Sequence, residues 1–290
     1  MRVLVVGSTG LLGQSVTRCC KGKGMEVVGV ARSSADYSID ITDIDKLSTV
    51  VTELRPDIVI NCAAIVNLAE CESDPVKAYL VNARPASILS ELSFELGYKN
   101  VFVSTDHYYP EGGNTKHTED DPVRLVNEYA RTKYVGEAYT LHSPDSLVLR
   151  TNIVGFRNKK DSPTFIEWVI GSLVNREQMQ LFDDVFTSSI HVDDFAHGMY
   201  ELVNSNASGI INLASSKVAS KYDFVKAMAD RMDIELDWVQ VGSGKQLNPV
   251  RATSLGLSVE KAEKILGFDL PGLEQTASKL VEDYQNSGNA

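Results

Sequence analysis

A doubly wound, mostly parallel α/β sheet is the fold class this sequence predicts, on three observations. Short β-branched apolar runs recur along the first half of the chain, every gap between them is long enough for a helix, and a glycine-rich turn follows the first run at once. The runs are Val3 to Val6, Val27 to Val30, Ile58 to Ile60, Val101 to Val103 and Leu147 to Leu149. Each is apolar on consecutive positions rather than alternate ones, as expected of strands covered on both faces. Strand and helix in series imply right-handed crossovers, and ligands of such sheets gather at the carboxyl ends of the strands. Those ends fall at Gly7, Ala31, Asn61 and Ser104.

Beyond Arg150 the rhythm changes to helix-like segments, at Phe165 to Leu173, Tyr222 to Met232, Val259 to Leu266 and Leu273 to Tyr284. The expected division is a dinucleotide-binding domain over 1–150 and a smaller substrate lobe over 151–290. The stretch 185–213, through Ile190 to Tyr200 and Ile210 to Leu213, is expected to return to the main sheet. Residues 286–290 lack apolar content and read as a frayed tail.

The 290 residues are 43% apolar, enough for a sizeable core, and no window reaches the roughly eighteen uninterrupted apolar residues of a membrane span. With 28 Lys and Arg against 39 Asp and Glu the formal charge is -11, which excludes a nucleic-acid backbone as an expected partner. The four cysteines, Cys19, Cys20, Cys62 and Cys71, form no CxxC pair, so no metal is expected and buried, reduced thiols are. Met1 and Arg2 lead directly into a strand with no room for a secretory signal, so a cytoplasmic location is expected.

The turn Gly7-Ser8-Thr9-Gly10-Leu11-Leu12-Gly13 follows the first strand and opens a helix-compatible stretch. Glycines let the backbone approach a pyrophosphate, and the free N–H groups of a helix start bind its charge. At the first strand-to-helix junction of a parallel series, this assigns Gly7, Thr9, Gly10, Leu11, Leu12 and Gly13 to dinucleotide binding and makes the sheet Rossmann-type. The second strand runs into Arg32, which suits the 2′-phosphate of NADP, whereas NAD sites place an acidic residue there. NADP is therefore expected over NAD, with Asp36 and Asp40 nearby as alternative ribose partners.

Tyr129 and Lys133 stand one helical turn apart, on one face. An ammonium beside a phenol is expected to lower the phenol's pKa towards the working pH and make it a proton donor. Tyr222 and Lys226 share the spacing, but only Tyr129 follows a strand ending in hydroxyls, at Ser104-Thr105-Asp106.

These residues together resemble the extended short-chain dehydrogenase/reductases, and within them the dTDP-4-dehydrorhamnose reductase-like group. The likeness runs through most of the chain: the turn at Gly7, Asp40-Ile41-Thr42-Asp43, the run Arg55 to Ala64, Ala69-Glu70, Val81-Asn82-Ala83, Ser104-Thr105-Asp106, and Tyr129 with Lys133 before Gly136-Glu137. It implies Thr105 as the hydroxyl that binds the carbonyl, Tyr129 as proton donor, and Lys133 as partner of tyrosine and nicotinamide ribose. It also implies Asp40, Ile41, Cys62, Ala63 and Ala64 beside the cofactor, and Asp106, Asn152 and Arg251 at the substrate. Arg157, Lys159 and Lys160 are further candidates for a sugar diphosphate.

The sequence departs from that pattern where His107-Tyr108-Tyr109-Pro110 follows Asp106, where Thr187 to Asp194 contains no proline, and where Ala252 follows Arg251. The implied activity is NADPH-dependent reduction of a nucleotide-linked 4-keto sugar, with the sugar and nucleotide open. A nucleotide-sugar 4-epimerase and a non-catalytic regulatory subunit on the same fold are the alternatives, and a homodimer is left open as the assembly.

Overall fold

The computed structural model describes residues 1–159 and 163–287. Strands β1 (Arg2–Val6), β2 (Glu26–Ala31), β3 (Tyr37–Ser38), β4 (Ile58–Asn61), β5 (Lys99–Val103) and β6 (Leu147–Arg150) alternate with α1 (Leu11–Gly22), α2 (Ile44–Leu54), α3 (Leu68–Ser73), α4 (Pro75–Asn82), α5 (Arg84–Leu96) and α6 (Glu128–Thr140). Then come β7 (Ile153–Val154), α7 (Phe165–Asn175), β8 (Gln180–Phe182), β9 (Phe186–Thr187), β10 (Ile190–His191), α8 (Val192–Asn204) and β11 (Gly209–Asn212). The chain continues through β12 (Ala219–Ser220), α9 (Lys221–Arg231), β13 (Gln240–Gly242), β14 (Ser254–Leu255), α10 (Glu260–Leu266) and α11 (Leu273–Asn286).

Seven parallel strands make the main sheet, in the order β11-β6-β5-β4-β1-β2-β3. The order reverses beside β1, which lies between β2 and β4, and a crevice opens there at the carboxyl ends. Both faces are covered, which explains the unbroken apolar runs. Val3 and Val5 pack with Leu12 and Val16 of α1 and Phe195 and Met199 of α8, while Leu4 and Val6 pack with Leu47 and Val51 of α2 and Leu89 of α5. A separate core joins Ile166 and Ile170 of α7, Phe224 and Met228 of α9, and Leu280 of α11. Helix starts are fixed locally: Asn127 caps α6 through Ala130 N–H, Thr164 and Glu167 form a capping box on α7, and Ser220 caps α9 through Asp223 N–H.

The stretch 185–213 differs from expectation. Only Gly209–Asn212 reaches the main sheet; Ile190–His191 pairs with Ile153–Val154, and Phe186–Thr187 lies between Ala219–Ser220 and Ser254–Leu255. Val192, Phe195, Ala196, Met199, Leu202 and Val203 recur at helical period, and α8 buries that stripe against α1. Two of the four cysteines, Cys19 and Cys62, are half-buried rather than buried, because each sits where an element meets the crevice or a neighbouring helix. Asn286 and Ser287 end α11 in order, with Ser287 N–H bonded to the Asp283 and Tyr284 carbonyls, and the rest of the expected tail lies outside the described residues.

One ion pair in the core carries charge at almost no exposure. Arg150, at the end of β6, donates from Nη2 to Glu137 Oε2 at 2.8 Å and from Nε to Oε1 at 3.1 Å, with side chains 2% and 1% exposed. Glu137 also accepts from Ser104 Oγ at 2.6 Å, and Arg150 Nη1 donates to the Tyr109 hydroxyl at 3.1 Å. Losing one partner strands a buried charge. Glu137→Gln should therefore lower the unfolding free energy by about 3–5 kcal/mol, read by urea denaturation, where Arg18→Ala at an exposed bridge to Asp193 should cost less than about 1 kcal/mol.

Candidate active site

The turn after β1 is shaped by contacts that exclude side chains. Gly7 has φ +82°, and a Cβ there would stand 2.8 Å from the Ala63 amide nitrogen; a Cβ on Gly13 would overlap the Gly7 carbonyl. Gly10 precedes α1 with no side-chain cap and no acidic residue in the first turn, so the helix start is open to an anion. Leu12 is buried and Leu11 packs partly against the core, which leaves their backbone N–H groups as the parts that face the crevice. Ala63 and Ala64 follow β4 on the other side, Ala63 N–H held by Asn61 Oδ1 at 3.1 Å. Cys62 between them is pushed up to about 12 by burial, which keeps it an inert thiol. A close-approach turn, an uncapped helix start and small residues opposite fit a dinucleotide pyrophosphate.

Arg32 lies exposed past the end of β2. The carboxylates that compete with it are each engaged through one oxygen: Asp36 accepts from Gly29 N–H at 2.7 Å, and Asp40 accepts from Thr42 N–H and hydroxyl at 2.9 and 2.8 Å. The Thr42 bonds hold the Asp40 carboxyl below its ordinary range. Ile41 beside it points into the core.

Thr105 and Asp106 follow β5 and are buried, as are Tyr129 and Lys133 on α6. This helix turns polar side chains inward: Tyr129, Thr132, Lys133, Glu137 and Thr140 are all on its buried face. Thr105 Oγ1 accepts from His107 N–H at 3.2 Å, and its hydroxyl influences the Tyr129 phenol through a hydrogen bond. The expected effect of Lys133 on that phenol is not found. Burial, reinforced by Asp106, drives the Tyr129 pKa well up, and Lys133 donates instead to the Val103 carbonyl at 2.7 Å, 4.0 Å over the Phe102 ring. Burial lowers Lys133 to about 7 against the pull of Glu137. Desolvation outweighs the charge-to-phenol attraction that spacing alone suggests.

Asp106 Oδ2 accepts from Asn152 Nδ2 at 2.7 Å; Asn152 Oδ1 accepts from Ser189 Oγ at 3.0 Å, and Ser189 pairs with Thr187 at 2.9 Å. This chain of polar groups joins the sheet to the strands around β9. Arg251 is exposed on the loop before β14, tied to the cap of α6 because Asn127 Nδ2 donates to the Val250 carbonyl at 3.1 Å. Lys159 is exposed, Arg157 N–H bonds Glu167 at 2.9 Å, and Lys160 lies outside the described residues. Tyr222 and Lys226 belong to α9 in the other core, with Lys226 bonded to Asp230 at 2.7 Å; the Ser220 hydroxyl that ends the short strand before them is taken up in capping α9.

Two residues here escape sequence reasoning. His107 meets the Tyr129 ring edge-on at 5.5 Å, with Nε2 3.9 Å from Asp106 Oδ1 and a buried Nδ1 without a hydrogen-bond partner among the described residues. Lys221 opens α9, and its charge is felt by both Asp106 and His107. A cation in the first turn of a helix, where the dipole disfavours it, is the signal that the sequence offered.

The family model described as the RmlD substrate binding domain matches residues 1–286. The chain belongs to that family. A probable low-salt glycan biosynthesis reductase from Haloferax volcanii is 28% identical, with 99% of each chain covered. A dTDP-4-dehydrorhamnose reductase from Escherichia coli is 27% identical over 77% of this chain and 76% of its own. Among solved structures, a dTDP-4-dehydrorhamnose reductase from Bacillus anthracis in complex with NADP superposes with a TM-score of 0.86 at 22% identity, covering 97% of this chain and 99% of that one. In this family member, no helix among the described residues is long and apolar enough to cross a membrane.

Burial raises Asp106 from 3.8 to about 7 and lowers His107 from 6.5 to about 4. Between those values folded Asp106 holds a proton that the unfolded chain has lost, so its contribution to stability falls as pH rises; His107 lacks a proton that the unfolded chain holds, so its contribution climbs. The two slopes oppose each other in the parent. In urea unfolding at half-unit steps from pH 4 to 7, the stability of Asp106→Asn relative to the parent should increase with pH and that of His107→Gln should decrease; two flat differences would refute these assignments.

Proposed function

We propose that this protein reduces the carbonyl of a nucleotide-linked 4-keto sugar with NADPH. The observation that carries the reading is the convergence of two buried residues on His107, Thr105 just past β5, whose Oγ1 accepts from the His107 N–H, and Tyr129 at the start of α6, whose ring meets the His107 ring edge-on, in a chain that also carries the close-approach glycine turn of Gly7 to Gly13. When bound, NADPH supplies the hydride. Thr105 donates a hydrogen bond to the carbonyl oxygen and polarises it. Tyr129 gives that oxygen its proton. Because burial keeps the phenol protonated at neutral pH, it enters the reaction with the proton in place, and the alkoxide formed on the sugar is a far stronger base than the phenolate left behind. Once that phenolate exists, Lys133 one turn along α6 offers the compensating charge.

Gly7, Thr9, Gly10, Leu11, Leu12 and Gly13 hold the pyrophosphate, with Cys62, Ala63 and Ala64 lining the opposite wall. Lys133 also serves the nicotinamide ribose. NADP is favoured over NAD because Arg32 stands exposed past β2 to meet a 2′-phosphate, while Asp36 and Asp40 each already accept through one carboxylate oxygen, from Gly29 N–H and from Thr42. Asp106, Asn152 and Arg251 serve the sugar nucleotide, in a lobe built chiefly from residues after 150. A cytoplasmic setting, with its NADPH and reducing conditions, accords with four free cysteines.

The test is NADPH oxidation by the purified protein against a panel of nucleotide 4-keto sugars. Stoichiometric oxidation supports a reductase, whereas an epimerase consumes no net NADPH and a silent subunit leaves the absorbance unchanged. Tyr129→Phe should reduce turnover by roughly 10²- to 10⁴-fold with NADPH affinity retained, Lys133→Met should impair turnover and cofactor binding together, and Tyr222→Phe should do neither. Arg32→Asp should move the ratio of NADP to NAD dissociation constants towards NAD; an unchanged ratio would return the ribose to Asp36 or Asp40.

A further inference from the structure

His107 touches both residues on which the reduction depends. Its backbone N–H donates to Thr105 Oγ1 at 3.2 Å, and its ring meets the Tyr129 ring edge-on, with centroids 5.5 Å apart and planes at 86°. The polar atoms of the imidazole take no part in either contact. Nδ1 is buried without a hydrogen-bond partner among the described residues, and Nε2 stands 3.9 Å from Asp106 Oδ1, beyond hydrogen-bond reach. Burial lowers the ring to about 4, so near neutral pH it is an uncharged plate. An orphaned ring nitrogen costs free energy, and what the residue contributes in its place is a backbone donor and a planar edge.

The backbone at this position is pinned on both sides. Asp106 is held at Oδ2 by Asn152 at 2.7 Å, and Tyr108 N–H closes back on the Asp106 carbonyl at 2.7 Å. The Tyr108 side chain is fully buried and its hydroxyl shares a hydrogen bond with Ser104 at 2.9 Å, while its carbonyl accepts from Arg124 N–H at 2.9 Å. The His107 ring thus sits on a rigid mount. Tyr129 packs otherwise with Leu68, Cys71 and Ala78 of α3 and α4, apolar contacts that set little orientation. An edge-on ring pair does set one, because the positive edge of one ring seeks the negative face of the other. The same residue orients Thr105: with Oγ1 accepting from the His107 N–H and Asp106 Oδ1 distant at 3.4 Å, the hydroxyl proton is left for another acceptor. Under the reductase reading, on which this rests, both donors must meet one carbonyl oxygen, so their relative placement limits the rate.

We propose that His107 is a positioning residue that fixes the Tyr129 phenol relative to the Thr105 hydroxyl through its ring edge and its backbone N–H. It acts through Tyr129, and its ring plane rather than its nitrogens carries the effect.

The test measures kcat and KM for a nucleotide-linked 4-keto-6-deoxyhexose in the parent, His107→Leu, His107→Ala and His107→Phe, with the dissociation constant for NADPH as the check on folding. Leucine fills the space without a planar edge, and alanine repeats the test should leucine not fold. Either should lower kcat by about ten- to a hundredfold with KM and the NADPH constant little changed, since a small misplacement of a reacting group costs that much. His107→Phe restores the ring edge without the nitrogens and should recover most of the rate. In the Tyr129→Phe background, where no phenol remains to be placed, His107→Leu should cost nothing further. An unchanged kcat in His107→Leu, a phenylalanine variant as slow as the leucine one, or a full second loss in the Tyr129→Phe background would each overturn the role of His107 and leave the reductase reading intact. A parent that oxidises no NADPH with any nucleotide 4-keto sugar would overturn that reading and this assignment with it.

Discussion

The buried pair of Arg150 and Glu137 is the constraint around which the site is arranged. It takes one residue from the end of β6 and one from the middle of α6, and through Ser104 it reaches the end of β5. Each partner alone would be untenable at 1–2% exposure, so the helix that carries Tyr129 has one allowed rotation and depth relative to the strand that carries Thr105. Tyr108 and Tyr109 close the network from the side: Ser104 and Tyr108 share a hydrogen bond at 2.9 Å, and Arg150 lies 4.9 Å over the Tyr108 ring. Tyr108 and Tyr109 of the loop that departs from the family pattern thus support the ion pair in this chain, while His107 at its start meets the Tyr129 ring.

Around that fixed point the electrostatics follow from dryness. Tyr129 and Asp106 are driven up and Lys133, His107 and Lys221 down, and in each case burial is the largest cause. Every shift favours the neutral form. A site so arranged holds little net charge of its own near neutrality and responds strongly to charge brought in by ligands, because few water dipoles compete.

Much of this was legible in the chain. Consecutive apolar positions in Val3 to Val6 signalled a strand covered on both faces, and the glycines at 7 and 13 signalled a turn with no space for side chains, which is what the contacts with Ala63 and Gly7 demand. The spacing of Tyr129 and Lys133 gave the helix face correctly. Its electrostatic consequence was misread, because the carbonyl of Val103 and the ring of Phe102 that capture the lysine come from a strand some thirty positions away. Ile190 to Tyr200 was misread for a local reason: the apolar pair at 190 and 192 looks like strand, and helical period emerges only with Phe195 and Met199. Lys221 was passed over although a cation opening a helix was visible in the sequence; that its charge is felt by Asp106 and His107, over a hundred positions away, was not.

The inward polar face of α6 has a consequence for motion. A helix held by apolar contacts can slide or tilt among nearly equivalent packings, because such contacts have little directionality. One held by Thr132, Lys133 and Glu137, each bonded to a specific atom of another element, has no neighbouring arrangement that satisfies the same groups. Its amides should therefore exchange with solvent only when the whole molecule opens, which leaves Tyr129 fixed relative to β5 in every state short of that opening.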